Sequence, residues 1–128
     1  MCPGINGQWP CPTLEANVGD KVVIQVTNKL ENETTSLHWH GILQTGSTMM
    51  DGPAYASQCP ITPGSSFTYE FNVDKAGTYW YHAHVGAQYS DGLRAPMIVH
   101  DKKDPNKDVD DEYILTVSGK KPGFIPLP

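Results

Sequence analysis

Four of the five histidines in this 128-residue chain fall in two matched doublets, His38-Trp39-His40-Gly41 and His82-Ala83-His84, about forty residues apart. Each doublet lies in a run of strand character, and side chains on a strand alternate between its two faces. His38 and His40 therefore share a face, as do His82 and His84. Neighbouring strands would gather four imidazoles on one patch, and imidazole nitrogen is a favoured ligand of copper and zinc. Alternate residues on a strand sit about 6.5 Å apart, from a rise of about 3.3 Å per residue. That spacing suits adjacent metal ions at least as well as one ion, so a cluster of two or three metals is the expected use. Zinc would be satisfied by three or four imidazoles. A blue (type 1) copper needs a Cys thiolate beside two His; no Cys here lies on a strand with a His, so no type 1 copper is expected. His100, at a strand end beside Asp101, is read as facing solvent.

The elements that would carry these histidines read as strands. Thr13–Val18 is a short edge strand, and Lys21–Thr27, rich in β-branched residues, is a second strand beyond the Gly19-Asp20 turn. Ser36–Ile42 alternates, with Leu37 and Trp39 on the face opposite the histidines. Ser66–Phe71 alternates with Phe67, Tyr69 and Phe71 inward. Thr78–His84 is an aromatic strand following the turn Asp74–Gly77. Ala95–His100 and Glu112–Val117 complete about seven strands. No segment has a helical period, so the expected fold is an all-β, two-sheet sandwich of Greek-key type. The irregular stretch from Gln44 to Pro63 exceeds ordinary connection lengths, as loops serving a site often do. It carries Met49, Met50, Asp51, Gly52 and Cys59. The expected domain spans residues 1–118, with 119–128 an extended tail or linker remnant.

Composition bounds the function. With 38% apolar and 18% charged residues, the chain is an ordered, loop-rich globular domain. A net charge of -5 argues against nucleic acid as a partner, because phosphate binding needs clustered Lys and Arg. The mixed-sign run Asp101–Glu112 reads as a solvated connection. No stretch approaches the roughly 20 apolar residues of a membrane helix, so no transmembrane segment is expected, and no secretory signal peptide is visible. Asn32-Glu33-Thr34 is a glycosylation sequon. Cys2 and Cys11 bracket a Pro/Gly-rich loop and are candidates for a local disulfide bond. That leaves Cys59, read either as a small buried thiol or as half of a bridge to another part of the protein.

Three segments give the sequence a family likeness: His38-Trp39-His40-Gly41, Asp51-Gly52-Pro53 through Gln58-Cys59-Pro60-Ile61-Thr62-Pro63-Gly64, and Gly77-Thr78-Tyr79-Trp80-Tyr81-His82-Ala83-His84. They resemble the first cupredoxin domain of multicopper oxidases, in the fungal laccase and ferroxidase branch. Ile5-Asn6-Gly7-Gln8-Trp9-Pro10 and Gln88-Tyr89-Ser90-Asp91-Gly92-Leu93 belong to the same pattern, and the likeness covers roughly residues 5 to 118. The resemblance implies a cupredoxin-like (plastocyanin-like) sandwich and copper in type 2 and type 3 positions. His38 would bind the type 2 copper, His40 and His82 one type 3 copper, and His84 the other. Asp51 would help deliver protons, and Trp39 and Trp80 would anchor the sandwich interior. Cys59 would bridge to the last domain. Cys11 and Ala95 stand where the family usually has Gly.

The implied function is a laccase- or ferroxidase-like oxidoreductase that reduces dioxygen, in an extracellular or cell-surface setting. This chain carries half of the trinuclear site's histidines and lacks the blue-copper ligands. Its expected partners are the missing cupredoxin domains or a second copy of itself, and an isolated monomer is expected to have little oxidase activity. The alternative is a stand-alone His-based copper-binding or delivery protein.

Overall fold

The computed structural model describes residues 4–119 apart from 102 and 104–107. Six strands run in chain order: β1 Leu14–Asn17, β2 Lys21–Thr27, β3 Leu37–His40, β4 Ser66–Asn72, β5 Gly77–Ala83 and β6 Arg94–His100. A single 3₁₀ turn, Thr48–Met50, interrupts the long connection between β3 and β4. The strands form a four-stranded sheet, in order β1-β6-β5-β3, and a two-stranded sheet, β2-β4. The expected all-β, cupredoxin-like sandwich is therefore what the chain adopts.

Alternation decides which face each strand buries. Val22, Ile24 and Val26 of β2 stand opposite Phe71, Tyr69 and Phe67 of β4, so the small sheet offers one apolar face. Against it the larger sheet turns Leu37, Trp39, Tyr81, Ala83, Ala95, Met97 and Val99. Trp39 and Tyr69 are wholly buried, and their rings meet edge to face at 5.1 Å, joining β3 to β4 across the sandwich. Such a pair adds about 0.5–1.5 kcal/mol beyond the area it buries. Two tyrosine hydroxyls carried into this core find partners there. The Tyr69 hydroxyl accepts from Leu37 N–H at 3.0 Å, and the Tyr81 hydroxyl donates to Pro12 O at 2.7 Å. Burial pushes both phenols above their ordinary range.

β1 is an edge strand, parallel to β6, with Asn17 opposite His100. His100 Nε2 lies 3.0 Å from a Glu15 carboxylate oxygen and about half exposed, away from the other histidines, as expected.

One expected strand is not formed. Residues Glu112–Val117 have no strand pairing, and Tyr113, Leu115 and Val117 are all exposed. Their alternation supplies one apolar face, but a strand also needs a neighbouring edge to meet its N–H and C=O groups. No described strand pairs with this segment. The segment after residue 119 lies outside the described residues, as does Cys2. Cys11 is a buried free thiol and Cys59 an exposed free thiol, so Cys59 is not the buried hydrophobe that was one of its two readings. Asn32 of the sequon is exposed.

Candidate metal centre

The outer face of the larger sheet carries the histidines because the inner face is occupied by Leu37, Trp39, Tyr81 and Ala83. β3 and β5 are antiparallel neighbours in a register that sets His38 opposite His82 and His40 opposite Trp80. His84 lies just beyond β5, where its N–H donates to Ser36 O at 3.0 Å. The other three rings gather around His38, whose centroid is 5.5 Å from that of His40, 5.3 Å from that of His82 and 5.7 Å from that of His84. His82 and His84 stack at 5.9 Å. One ring nitrogen from each of His38, His40 and His82 lies within 4.8 Å of the others, close enough for a shared metal site. His84 stands outside that triad.

Hydrogen bonds fix which nitrogens are free to ligate. His82 Nδ1 is 2.9 Å from Ala83 O, and His38 Nδ1 is 2.9 Å from Asp51 O. A carbonyl only accepts, so both Nδ1 atoms carry the proton and both Nε2 atoms present a lone pair. His40 Nδ1 faces His82 Nε2 at 3.3 Å. Without metal, His40 Nδ1–H donates across that gap. Two nitrogens held about 2.0 Å from one ion at a tetrahedral angle stand about 3.3 Å apart, so the pair is already spaced for a common ion. Neutral imidazoles at this separation fit copper or another borderline metal. Burial, then the nearby His38, His40 and His84, push the His82 imidazole below its ordinary range, against the opposing bond to Ala83. A proton thus competes less well for His82 Nε2 at neutral pH.

Loops complete the site. Trp39 Nε1–H donates to Met50 O at 3.1 Å, tying the long connection to β3. Gly52 follows in a left-handed conformation with φ 102°, its Cα lying directly against the Leu37 carbonyl. This close approach, open only to glycine, delivers Asp51 to His38. The Asp51 carboxylate sits 3.3 Å from His38 Nδ1 and is about one third exposed, so it touches both the cluster and water. The loop after His84 is pinned by Gln88, a buried side chain whose Oε1 accepts from Thr35 Oγ1 at 2.8 Å. Its Nε2 donates to Thr34 O at 2.8 Å and to the Glu33 carboxylate at 3.1 Å.

Two features differ from the sequence expectation. Trp39 fills the interior, but Trp80 does not: it lies half-buried on the histidine face, stacked on His40 at 4.8 Å. Its position two residues before His82 gives it the parity of the histidines, a signal its size and aromatic character obscured. Gln88 was visible only as part of a sequence pattern, and its anchoring role depends on three residues about fifty positions away. Among the described residues no cysteine joins the histidine cluster.

Comparison with known proteins places this geometry in context. The family model described as multicopper oxidase matches residues 1–104. The iron transport multicopper oxidase FET3 of Gibberella zeae is 62% identical over 116 residues, covering 90% of this chain and 19% of that protein. Laccase-3 of Thanatephorus cucumeris is 47% identical over 123 residues, covering 90% of this chain and 22% of the laccase. Among solved structures, the multicopper oxidase Fet3p, described as functioning in iron import, superposes with a TM-score of 0.74 at 48% identity, covering 78% of this chain and 19% of Fet3p. The laccase from Botrytis aclada superposes with a TM-score of 0.74 at 49% identity, covering 76% of this chain and 18% of the laccase. The chain spans about a fifth of the length of the relatives it matches.

Proposed function

Because the chain belongs to the multicopper oxidase family, we propose that it is the first cupredoxin domain of a laccase- or ferroxidase-like oxidase, carrying half the histidines of a trinuclear copper site. The observation that carries this reading is the convergence of His38, His40 and His82 on one outer face, with the His40 and His82 nitrogens 3.3 Å apart.

His40 and His82 would hold one type 3 copper between Nδ1 and Nε2, His84 the second, and His38 the type 2 copper. Copper bound there supplies the redox capacity to reduce dioxygen to water. The chain's own groups prepare that chemistry. Ala83 O and Asp51 O hold the protons on His82 and His38 at Nδ1, so each Nε2 stays a ligand. The rigid pairing of β3 with β5 fixes the separation of the imidazoles, as precise positioning of ligands requires. Asp51 would hold and release protons at its carboxylate, which meets both His38 and solvent. With one or two imidazoles per copper, the chain alone offers too few ligands for tight binding, since affinity grows with ligand number and outer-shell support. Substrate electrons would enter through other cupredoxin domains, or through no port at all in a second copy of this chain. An extracellular or cell-surface setting goes with the family and with the exposed sequon.

The test combines copper titration with measured solution mass. The reading expects weak copper binding by the monomer, no intense blue absorption, and no oxidation of a phenol or of ferrous iron. Turnover by a verified monomer would overturn it. About three coppers per dimer would shift the reading to two copies pooling their histidines.

A further inference from the structure

The three clustered imidazoles are not held in the same way. His38 and His82 each have Nδ1 tied to a backbone carbonyl. His40 has no such tie among the described residues; its only hydrogen bond reaches His82, the residue with which it would share an ion. It is also exposed, at the end of β3. An imidazole so placed would be free to turn about its side-chain torsions, whose terminal rotation is broad.

What restrains it is Trp80. The indole stacks on His40 at 4.8 Å with 30° between the planes, and it also lies 4.6 Å from His82. Tyr89 backs this wedge, 5.4 Å from Trp80 and 4.8 Å from His82. Arg94 caps Tyr89 with its guanidinium 5.3 Å over the ring and donates to Tyr89 O at 3.3 Å. We propose that Trp80 is the positioning residue of the metal centre, holding His40 so that its Nδ1, and not its Nε2, closes on an ion shared with His82. The indole face also favours a ring carrying positive charge, as a metal-bound imidazole does, through cation–π attraction. This rests on the proposed copper site at His40 and His82, and it assigns Trp80 a task distinct from filling the core.

The experiment is a double-mutant cycle on the 128-residue chain, reading copper(II) affinity by titration. Trp80→Val keeps a strand-favouring residue on an outer face and removes the stack. The expected result is a loss of about 10- to 100-fold in affinity, with Trp80→Phe recovering most of it. In a His40→Ala background the same change should have no effect, because Trp80 acts through His40. No loss in the parent chain, or an equal loss in both backgrounds, overturns the proposal.

A metal-free measurement stands beside the cycle and does not depend on any variant folding. Side-chain ¹⁵N spectra of the unmutated chain should show His40 as a single Nδ1–H tautomer bonded to His82. Averaged tautomers there overturn the proposal. A parent chain that binds no copper overturns the functional reading instead, and the His40 spectrum then decides the role of Trp80 alone.

Discussion

Replacing Gly52 by alanine tests whether the close approach of the Asp51 loop to β3 builds the site. Gly52 is buried with φ 102°, and an added Cβ would overlap the Leu37 carbonyl oxygen outright. It would also stand 2.6 Å from the Leu37 carbonyl carbon and 3.0 Å from His38 Cα. All three are backbone atoms of β3, which is held by pairing with β5 and by the Leu37–Tyr69 hydrogen bond. No side-chain rotation can relieve the clash. Backbone strain for a non-glycine residue costs about 1–3 kcal/mol, and overpacking a rigid contact costs about 1–3 kcal/mol more. The sum is a large part of a domain stability of about 5–15 kcal/mol.

Gly64 supplies the control. It too has positive φ, at 78°, but an added Cβ meets nothing within 4 Å, so Gly64→Ala should show the strain alone. Urea unfolding followed by tryptophan fluorescence gives both values from midpoint and slope. Gly52→Ala should be less stable than Gly64→Ala by about 1–3 kcal/mol and should bind copper more weakly, because the displaced loop carries the Asp51 carbonyl that orients His38. Equal destabilisation of the two variants, with copper binding intact in both, would refute the reasoning.

The metal-free chain should also lose stability in acid. The folded state holds His82 below its ordinary value, by burial first and then by its histidine neighbours, so the unfolded chain takes up the proton more readily. The contribution of His82 is present above about 6.5 and is lost as pH falls through the lower folded value; an NMR titration placing His82 at or above its ordinary value would contradict this. The thiols should separate by reactivity: timed iodoacetamide labelling with peptide mapping should modify exposed Cys59 quickly. Cys11, buried and with its thiol pushed up by that burial, should react slowly until the chain unfolds, and similar rates at the two sites would disprove the packing around Cys11.

Strand parity is a local, covalent property, and it was readable without a structure. It put His38 with His40, His82 with His84, and Leu37 and Trp39 on the face that became the core. The same rule also places Trp80 with the histidines, where the structure has it, although its size suggested the interior. Glu112–Val117 marks the limit of that rule. Its alternation is as regular as that of strands that do form, but a strand exists only where another strand pairs with it, and among the described residues none does.

Parity therefore determined which histidines could act together, while only the tertiary structure decided that they do. The antiparallel register of β3 and β5, with His38 opposite His82, brings separate doublets into one centre. The glycine-dependent approach of Asp51 and the wedge of Trp80 then fix the orientation of the rings. Register and loop approach arise from contacts between residues far apart in the chain, and no pattern within either doublet encodes them.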